Sequence, residues 1–540
     1  MTKRIIQEHQ TMSYVKNHTV LLSIMLFFIC ASQSMADNPL VRHIYTADPA
    51  PLVYNNRFYI FTGHDEGGSG WTLNGWHVLS SSDMVNWTDH GEVLGVKDVT
   101  WLNTKQAWAA QCVERNGKFY FYICDSGEIG VAVADNVLGP YKDALGKPLI
   151  ANTTPGACPG DDNIDPTVFI DDNGSAYIYW GTDRVNRQAK LKSNMIEIDG
   201  AITVPQGTSR FFEASWVHKY NNTYYYSYAA YNADGKDWPS NIDYCTSSNP
   251  LGPWTYKGTL NGYAGSGTNH SGIVQFKDKW YFIYHTDYLS GGTAWERSVQ
   301  ADYLYYNTDG TLKKIVQTTS GVSSIDTPPF AENVYYKLKV KHSGKFLDVT
   351  SGSTADGATL VQMADNGKTS QQWKFTKADN GVYQIVNKNS GLVLDASTKD
   401  NTVVQAANKN TNTQRWKLTG NGKGEYYIVN KQNNRLLEVY YAEMTDGSKV
   451  QHWEFNNETC QQWEFVKVDS GAVGTGCFTV TTPKFSPDRI KSTTILSTHK
   501  AAYDADYFYN LTGRITNVNQ KNSSGFYIYR SGRNLMGANK

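Results

Sequence analysis

The sequence predicts an all-β protein assembled from two sets of internal repeats, the first of which forms a five-bladed β-propeller. A hairpin pattern occurs five times between residues 37 and 326, and a Gln-x-Trp triplet occurs three times between residues 333 and 468. The composition agrees, because 36 Tyr, 15 Trp and 20 Phe in 540 residues suit a chain rich in strands. Repeats of this length indicate units that bury their apolar faces only by packing against one another.

The first copy of the hairpin runs from Asp48 to Phe61, with an apolar run, a turn at Asn55-Asn56 and then alternating aromatic and aliphatic residues. Four more copies span 109–122, 165–179, 213–226 and 270–283. Their second aromatic residues are 61, 57, 48 and 56 residues apart: Tyr59, Tyr120, Tyr177, Tyr225 and Tyr281. A period of about 50 residues made of strands alone is typical of a propeller with one copy per blade.

Polar or aromatic residues stand at one equivalent point of all five copies. Eleven or twelve residues before the aligned aromatic lie Asp48, Trp108, Asp165, Glu213 and His270. Because the innermost strand of each blade begins at the propeller axis, we expect these side chains to converge on one central pocket. Each has a simpler explanation when taken alone, since aspartate before proline is a common turn signal and a lone histidine is most often a core residue.

Three carboxyl groups in one pocket suit the hydrolysis of a glycosidic bond. That reaction needs a protonated carboxylic acid at the leaving oxygen and a carboxylate that activates water or attacks the sugar. A third carboxylate beside the acid would raise its pKa through like-charge repulsion and keep it protonated near neutral pH.

The motifs around these residues resemble those of glycoside hydrolase family 43, and the resemblance covers the whole first domain in order. They are Ala-Asp-Pro-Ala-Pro at Asp48, Trp-Ala-Ala at Trp108, Ile-Asp-Pro-Thr-Val-Phe at Asp165, Phe-Glu-Ala-Ser-Trp at Glu213 and Asn-His-Ser-Gly-Ile-Val at His270. The resemblance implies a five-bladed propeller and an inverting mechanism. Asp48 would be the general base, Glu213 the general acid, and Asp165 the residue that tunes and orients the acid. Inversion implies base and acid carboxyl groups roughly 6.5–9.5 Å apart.

The same resemblance assigns three binding roles. Trp108 would form a wall of the innermost sugar subsite, although Ala110 departs from the proline that the family more often has there. Arg297, in Glu-Arg-Ser-Val, would bind sugar hydroxyl groups. His270 would lie under the site and bind a central calcium ion through waters. No cofactor is expected to be required, and any calcium would be structural or electrostatic.

The second repeat is built on Gln371-Gln372-Trp373, Gln414-Arg415-Trp416 and Gln461-Gln462-Trp463, which are 43 and 47 residues apart. Three such triplets resemble the ricin-B-type β-trefoil of carbohydrate-binding module family 13, from about Asn333 to Val468. The resemblance places the sugar-binding acids at Asp348 and Asp395. Glu438 replaces the aspartate of the third lobe, and this departure weakens the expectation there. We expect the tryptophans to fill the trefoil core.

The ends of the chain and the interdomain break have their own signals. Residues 1–36 have a basic start, an apolar run from Val20 to Cys30 and small residues before Asp37, which predicts a signal peptide and a secreted, periplasmic or cell-surface protein. The apolar run is short for a membrane span. Prolines 328 and 329 mark the end of the propeller domain, 37–326, because proline cannot donate to a sheet ladder. Residues 469–540 are expected to be a linker and a tail, with an ending like the sorting segments of exported Bacteroidetes proteins.

Charge and cysteine content restrict the partners. Lys plus Arg and Asp plus Glu both number 50, so no basic surface for nucleic acid is indicated. Six cysteines follow residue 36 without the spacing of a metal site, and nothing in the sequence requires a disulfide. We expect a monomer that acts on plant polysaccharide or oligosaccharide.

The leading hypothesis is an α-L-arabinofuranosidase or β-xylosidase that acts on polysaccharide such as arabinoxylan. Residues 301–307 and 38–40 favour the arabinofuranoside. An endo-arabinanase remains open, because the loops 67–76 and 233–240 decide whether one end of the site is closed. A propeller-trefoil lectin without catalysis and a metal-dependent enzyme are further alternatives.

Overall fold

The computed structural model describes residues 37–67, 70–102, 104–232, 240–324, 334–379 and 381–468, and also 507–509 and 515–517. The chain divides into two compact units, residues 1–470 and 471–540. The predicted signal peptide, the break at 326–329, most of loop 233–240 and nearly all of the tail lie outside the described residues. In the part that the structure describes, no helix has the length and apolar character needed to cross a bilayer.

Residues 45–304 form five antiparallel meanders. The first contains β1 Tyr45–Tyr54, β2 Arg57–Asp65, β3 Gly75–Ser81 and β4 Thr88–Gly95. The second contains β5 Gln111–Arg115, β6 Lys118–Asp125, β7 Glu128–Ala134 and β8 Lys142–Asp143. The third contains β9 Thr167–Ile170, β10 Ala176–Thr182, β11 Val185–Leu191 and β12 Ile198–Thr203. The fourth contains β13 Phe211–Tyr220, β14 Thr223–Ala230, β15 Asn241–Ser247 and β16 Thr255–Asn261. The fifth contains β17 Ser271–Phe276, β18 Lys279–Thr286 and β19 Ser298–Leu304.

The predicted turns join the first two strands of every meander. Asn55 and Asn56 take φ values of 47° and 57°, and Asn221 and Asn222 take 47° and 61°. Asparagine tolerates this left-handed conformation better than most residues, which explains why it marks these turns. The aromatic strands that follow are buried between meanders, with Tyr225 and Tyr281 almost wholly inaccessible to solvent.

The number of separate blade sheets differs from the prediction of five. Four meanders are sheets of their own, whereas β1–β4 belong to a 16-stranded sheet that continues into the trefoil. The connection is a parallel pairing of Gly420 with Thr88, between β27 and β4. The first meander is not a separate sheet, because its outer strand forms hydrogen bonds with a strand of the second domain.

Residues 334–468 form the trefoil of three related lobes. The first lobe contains β20 Tyr335–Val340, β21 Phe346–Val349, β22 Leu360–Met363 and β23 Trp373–Asp379. The second contains β24 Val382–Asn387, β25 Val393–Ala396, β26 Val403–Ala406 and β27 Trp416–Gly420. The third contains β28 Tyr426–Asn430, β29 Leu436–Val439, β30 Val450–Trp453 and β31 Trp463–Lys467. Short 3₁₀ helices lie at Val96–Asp98, Thr350–Gly352, Thr369–Gln371, Asn412–Gln414, Tyr440–Ala442 and Thr459–Gln461. In the second unit, β32 Tyr507–Tyr509 pairs antiparallel with β33 Ile515–Asn517.

The Gln-x-Trp triplets hold the trefoil core together, as predicted. Trp373, Trp416 and Trp463 are fully buried in one cluster. Each indole N–H donates to a backbone carbonyl of its own lobe, at Leu347, Leu394 and Leu437. The buried glutamine of each triplet binds a loop through both its amide nitrogen and its amide oxygen. In Gln461 the nitrogen donates to the carbonyl of Glu454, and the oxygen accepts the N–H of Asn456.

The first described residues bind both domains. Asn38 exchanges hydrogen bonds with Ala301 of β19, and the N–H of Leu40 donates to Val299, so this segment extends the fifth meander. From the trefoil, Lys417 donates to the carbonyls of Asp37 and Pro39, at 2.7 and 2.8 Å. Burial lowers the pKa of Lys417 to about 7. The trefoil is therefore docked on the propeller by buried polar contacts.

Candidate active site

The three predicted acids lie on strained backbone at the inner ends of their meanders. Asp48 occupies a bulge where the register of β1 against β2 shifts, and its φ is 50°. Asp165 precedes β9 with φ of 55°. Register shifts also flank Glu213 in β13, and the next residue, Ala214, has φ of 57°. Such conformations cost about 1–3 kcal/mol each and concentrate at functional sites, where they aim side chains away from the sheet.

Asp48 is held by one cation and one neutral histidine. Its Oδ1 accepts a hydrogen bond from Nη1 of Arg297 at 2.8 Å. Its backbone N–H donates to Nδ1 of His285 at 3.1 Å, so that nitrogen carries no proton. The Nε2 of His285 faces the carbonyl oxygen of Thr268 at 3.2 Å, and burial lowers the pKa of the imidazole well below its usual value. These contacts fix the position of the Asp48 side chain, and the residue is only 7% exposed.

Most side-chain N–H groups of Arg297 donate hydrogen bonds to other residues of the protein. Its Nε and Nη2 bind the two carboxylate oxygens of Asp65 at 2.9 Å each, and Nη1 also reaches Oγ1 of Thr268 at 3.3 Å. The residue is 2% exposed. Four N–H donors thus point at Asp48, Asp65 and Thr268, where the sequence predicted contacts with sugar hydroxyl groups. That predicted role stays untested, and the visible role of Arg297 is to orient Asp48.

Asp165 and Glu213 form the protonated side of the pocket. Oδ2 of Asp165 accepts the N–H of Ala214 at 2.9 Å, which ties it to the residue after Glu213. Burial, followed by the charges of Glu213 and Asp48, raises the pKa of Asp165 well above its usual value. Burial, followed by the charge of Asp48, raises the pKa of Glu213 to about 7, while the hydroxyl of Thr182, 3.3 Å away, opposes this.

These causes change one expectation from the sequence. Asp165 was expected to raise the pKa of Glu213 as a neighbouring anion. In the structure the pKa of Asp165 is itself raised, because it is buried beside two other carboxyl groups. The causes that raise the pKa of Glu213 are burial and the charge of Asp48, and Asp165 is not among them. Removal from water and the Asp48 carboxylate therefore account for the shift of Glu213.

His270 lies between the base side and the acid side of the pocket. Its Nδ1 is 3.8 Å from Oδ1 of Asp48 and 3.9 Å from Oδ2 of Asp165. Burial lowers the pKa of His270 to about 4, so the ring is neutral near pH 7. Among the described residues, no group of three or more His, Cys, Asp or Glu side chains could hold a metal ion. A calcium ion beside His270 would have to be held largely through water, and its presence stays a prediction.

Trp108 is half-buried at the edge of the pocket. Its Nε1 donates to the carbonyl of Trp71 at 2.9 Å, and its own carbonyl accepts from Trp76 at 2.7 Å. The Trp71 ring in turn covers the guanidinium of Arg297, with 5.1 Å from Cζ to the ring centroid. Trp108 therefore supports the aromatic cover of Arg297, and its role as a sugar wall stays a prediction.

Sequence reasoning missed Asp65, His285 and Thr268. Asp65 had a signal, since an aspartate stands six residues after the aligned aromatic in three of the copies, at Asp65, Asp183 and Asp287. His285 and Thr268 had none, because their partners Asp48 and Arg297 belong to other parts of the chain.

The three trefoil acids are bound within their own lobes. Asp348 accepts a hydrogen bond from Asn366 at 2.8 Å, and Asp395 accepts one from Gln414 at 2.9 Å. Glu438 is buried, and its two oxygens accept from Gln451 and Gln461 at 2.9 Å. Both carboxylate oxygens of Glu438 therefore bind side-chain amides, whereas in each aspartate only one oxygen binds a side-chain amide.

The comparison with known families assigns the propeller. The family model for glycosyl hydrolases family 43 matches residues 36–312. The chain belongs to this family. A second model, the ricin-type beta-trefoil lectin domain-like family, matches residues 329–407 and 412–475. This family 43 chain is a glycoside hydrolase with a ricin-type trefoil.

Known relatives agree with this assignment. An arabinoxylan arabinofuranohydrolase of Bacillus subtilis (strain 168) is 34% identical over 377 residues, which cover 60% of this enzyme and 72% of that protein. A xylosidase/arabinosidase of Bacteroides ovatus is 33% identical and is covered to 95%, over 51% of this enzyme. The structure of a family 43 arabinoxylan arabinofuranohydrolase from Bacillus subtilis in complex with cellotetraose matches with a TM-score of 0.51 and 25% identity, over 81% of this enzyme and 100% of that chain.

Proposed function

We propose that this enzyme releases α-L-arabinofuranosyl or β-D-xylosyl groups from plant cell-wall arabinoxylan, with inversion, as a secreted monomer. The observation that carries the proposal is the convergence of Asp48, Asp165 and Glu213, with Arg297 bound only to the first of these. This arrangement separates a carboxylate bound to a cation from a carboxyl group whose pKa is raised, which is what base and acid roles require. The names of the relatives from Bacillus subtilis and Bacteroides ovatus support the choice of sugars.

Asp48 acts as the general base. Its carboxylate accepts a hydrogen bond from Arg297, and the hydrogen bond from its backbone N–H to His285 holds it in place. Water placed between Asp48 and the anomeric carbon loses a proton to the carboxylate as it attacks. The bond from the anomeric carbon to the leaving oxygen breaks on the opposite face, so the configuration inverts.

Glu213 acts as the general acid. Burial and the Asp48 charge keep it protonated up to about pH 7, so it can transfer a proton to the leaving oxygen. Asp165 positions this acid by accepting a hydrogen bond from the N–H of Ala214, the residue that follows Glu213. His270, neutral and between the two sides, lines the floor of the pocket.

The proposal is tested by hydrolysis of nitrophenyl α-L-arabinofuranoside and nitrophenyl β-D-xyloside, with Glu213→Gln alongside. We expect the arabinofuranoside to be the better substrate and the variant to lose its turnover. Proton NMR of the first-formed sugar should give the inverted anomer, and a retained anomer would overturn the roles of Asp48 and Glu213. Activity on linear arabinan alone would favour the endo-arabinanase, and binding without hydrolysis of any of these substrates would favour the lectin.

The trefoil serves as a carbohydrate-binding domain, and its third lobe contains a formed cavity. A cavity of about 360 Å³ beside Glu438 is lined by Tyr440, Tyr441 and Trp453. Tyr441 is 81% exposed and Trp453 is 43% exposed, which is unusual for large apolar side chains unless they bind a partner. Exposed aromatic faces are suited to stacking on the apolar faces of sugar rings. The sequence favoured Asp348 and Asp395, and the aromatic residues favour the lobe of Glu438.

This role is tested by retention on insoluble arabinoxylan. Tyr441→Ala and Trp453→Ala should each weaken binding by roughly twofold to tenfold, in line with about 0.5–1.5 kcal/mol for an aromatic contact. Hydrolysis of the nitrophenyl glycosides should not change. Asp395→Ala should also weaken retention if the second lobe binds sugar, and unchanged retention in all three variants would remove the trefoil from substrate binding.

A further inference from the structure

One opening in the described residues lies between the propeller and the trefoil. It is a cleft of about 990 Å³, at the upper end of the usual range for ligand sites. On the propeller side it is lined by residues 42–45 and 64–66, and on the trefoil side by residues 397–401, 432–435 and 454–455. We call this opening the interdomain cleft.

The interdomain cleft shares a wall with the catalytic pocket. Asp65 lines the cleft, and its carboxylate binds Arg297, which binds Asp48. Tyr45 lies beside Asp65. Burial and the charges of Glu296 of the propeller and Glu454 of the trefoil raise the pKa of the Tyr45 phenol, so Tyr45 is near charged residues of both domains. The cleft therefore starts at Asp65, which is linked to the base Asp48 through Arg297, and it extends to the trefoil.

The walls of the cleft are held in fixed positions. Arg42 donates from Nε to Oδ1 of Asn434 across the interface at 2.9 Å. His43 stacks on Tyr427 with ring centroids 5.0 Å apart, and its Nε2 is 2.8 Å from Asp89. Arg435 is fixed within the trefoil by Asn401 at 2.7 Å. A site whose walls are already ordered loses little conformational entropy when a ligand binds.

The lining suits a neutral, hydroxyl-rich ligand. Amides and hydroxyls from Ser397, Asn401, Gln432 and Asn433 offer both donors and acceptors, and Tyr45 offers an aromatic face. Charges of both signs are present, with Arg435 3.5 Å from Glu454, so the cleft does not select a strongly charged ion. Its size suits an oligosaccharide segment better than a single sugar.

We infer that the interdomain cleft binds the main chain of the polysaccharide whose side group enters the catalytic pocket. This inference rests on the proposed function. It makes the trefoil part of the substrate-binding site near the base, in addition to any attachment to polymer through its third lobe. Recognition of the main chain would therefore depend on both domains.

Two substitutions at the rim test the inference. Thr398→Trp and Gln432→Trp place a large side chain in the cleft at exposed trefoil positions outside the catalytic residues. Thr354→Trp is the matched control, because Thr354 is an exposed threonine of the first lobe and does not line the cleft. The first readout is kcat/KM on arabinoxylo-oligosaccharides and on a nitrophenyl arabinofuranoside, which is too small to reach the cleft.

We expect both rim variants to lower kcat/KM on the oligosaccharides on the order of tenfold, mainly through KM. Their kcat/KM on the nitrophenyl glycoside should equal that of the wild type, and Thr354→Trp should match the wild type on both. Unchanged oligosaccharide kinetics in both rim variants would overturn the inference. Equal losses on both substrates would also overturn it, because that result indicates damage to the catalytic pocket.

A binding measurement separates this inference from the proposed function. Calorimetry with xylopentaose on the Glu213→Gln protein needs no turnover. We expect the addition of Thr398→Trp to weaken binding, whereas the addition of Thr354→Trp leaves it unchanged. If the wild type hydrolyses neither glycoside but the cleft variant still weakens xylopentaose binding, the proposed function fails and the cleft stands. If the two double variants bind equally, the cleft assignment fails.

Discussion

Acidic side chains recur at equivalent positions in both domains, but the two domains treat them in opposite ways. In the trefoil, Asp348, Asp395 and Glu438 each accept a hydrogen bond from a side-chain amide of their own lobe. In the propeller, Asp165 is buried and Glu213 is half-buried near Asp48, and the charges of neighbouring carboxyl groups add to burial in raising their pKa values. An acid whose carboxylate accepts hydrogen bonds from its own lobe serves as a structural or recognition group. Acids placed close to one another retain a proton at higher pH, and that proton is available for catalysis.

The strongest test of this difference is Glu213→Gln, which should lower kcat by roughly 10²–10⁴-fold because it removes the proton donor. The stability of the variant, in contrast to its activity, should not fall. The pKa of Glu213 is raised on folding, so its stabilising contribution is present at low pH and is lost as the pH rises through about 7. At pH 8 the variant should therefore have a Tm equal to or above that of the wild type. A large fall in Tm would mean that Glu213 is structural.

The second test concerns the ion pair that the sequence did not predict. Asp65→Asn removes the carboxylate that binds Arg297 twice and leaves a buried guanidinium with fewer partners. Breaking a buried pair of this kind costs about 3–5 kcal/mol, which should appear in urea unfolding. Asp125→Asn is the matched control, because Asp125 ends β6 and accepts from Thr104. Equal destabilisation by the two variants would contradict a special role for the Arg297 pair.

The third test compares two acids of the trefoil. Glu438→Ala leaves the amides of Gln451 and Gln461 without their buried acceptor, so it should destabilise the protein by about 1–3 kcal/mol. Asp395→Ala should cost less, because Asp395 is only half-buried and Gln414 keeps its second bond to the carbonyl of Ala407. Thermal unfolding of both variants checks the order. The reverse order would mean that exposure does not govern these contacts.

The smallest expected effect distinguishes two explanations of the raised pKa of Glu213. Above about pH 7 the acid loses its proton, so kcat/KM should fall as the pH rises through that value. Burial and Asp48 cause the shift, so Asp165→Asn, whose amide oxygen can still accept the N–H of Ala214, should move this alkaline limb by less than about one pH unit. A larger downward move would restore the expectation that Asp165 acts as an anion.

The parts of the fold that depend on local chemistry could be predicted from the sequence. Turns such as Asn55-Asn56 and Asn116-Gly117 are set by residues that accept positive φ, and the hairpin copies fixed which acids lie at the inner ends. The docking of the trefoil could not be predicted, because Arg42 and Asn434 are 392 positions apart and no repeat pattern pairs them. The same holds for Arg297 and Asp65, which are 232 positions apart.

The segment at Asp37–Leu40 links the folding of the two domains. It extends the fifth meander through Asn38 and Leu40, and Lys417 and Lys431 of the trefoil bind Asp37. Contacts between residues so distant in sequence form late, because the loop entropy must be lost before they stabilise anything. We therefore expect ring closure of the propeller and docking of the trefoil on its first residues to occur together. Until the trefoil has been synthesised, the closing segment of the catalytic domain lacks its partners Lys417 and Lys431.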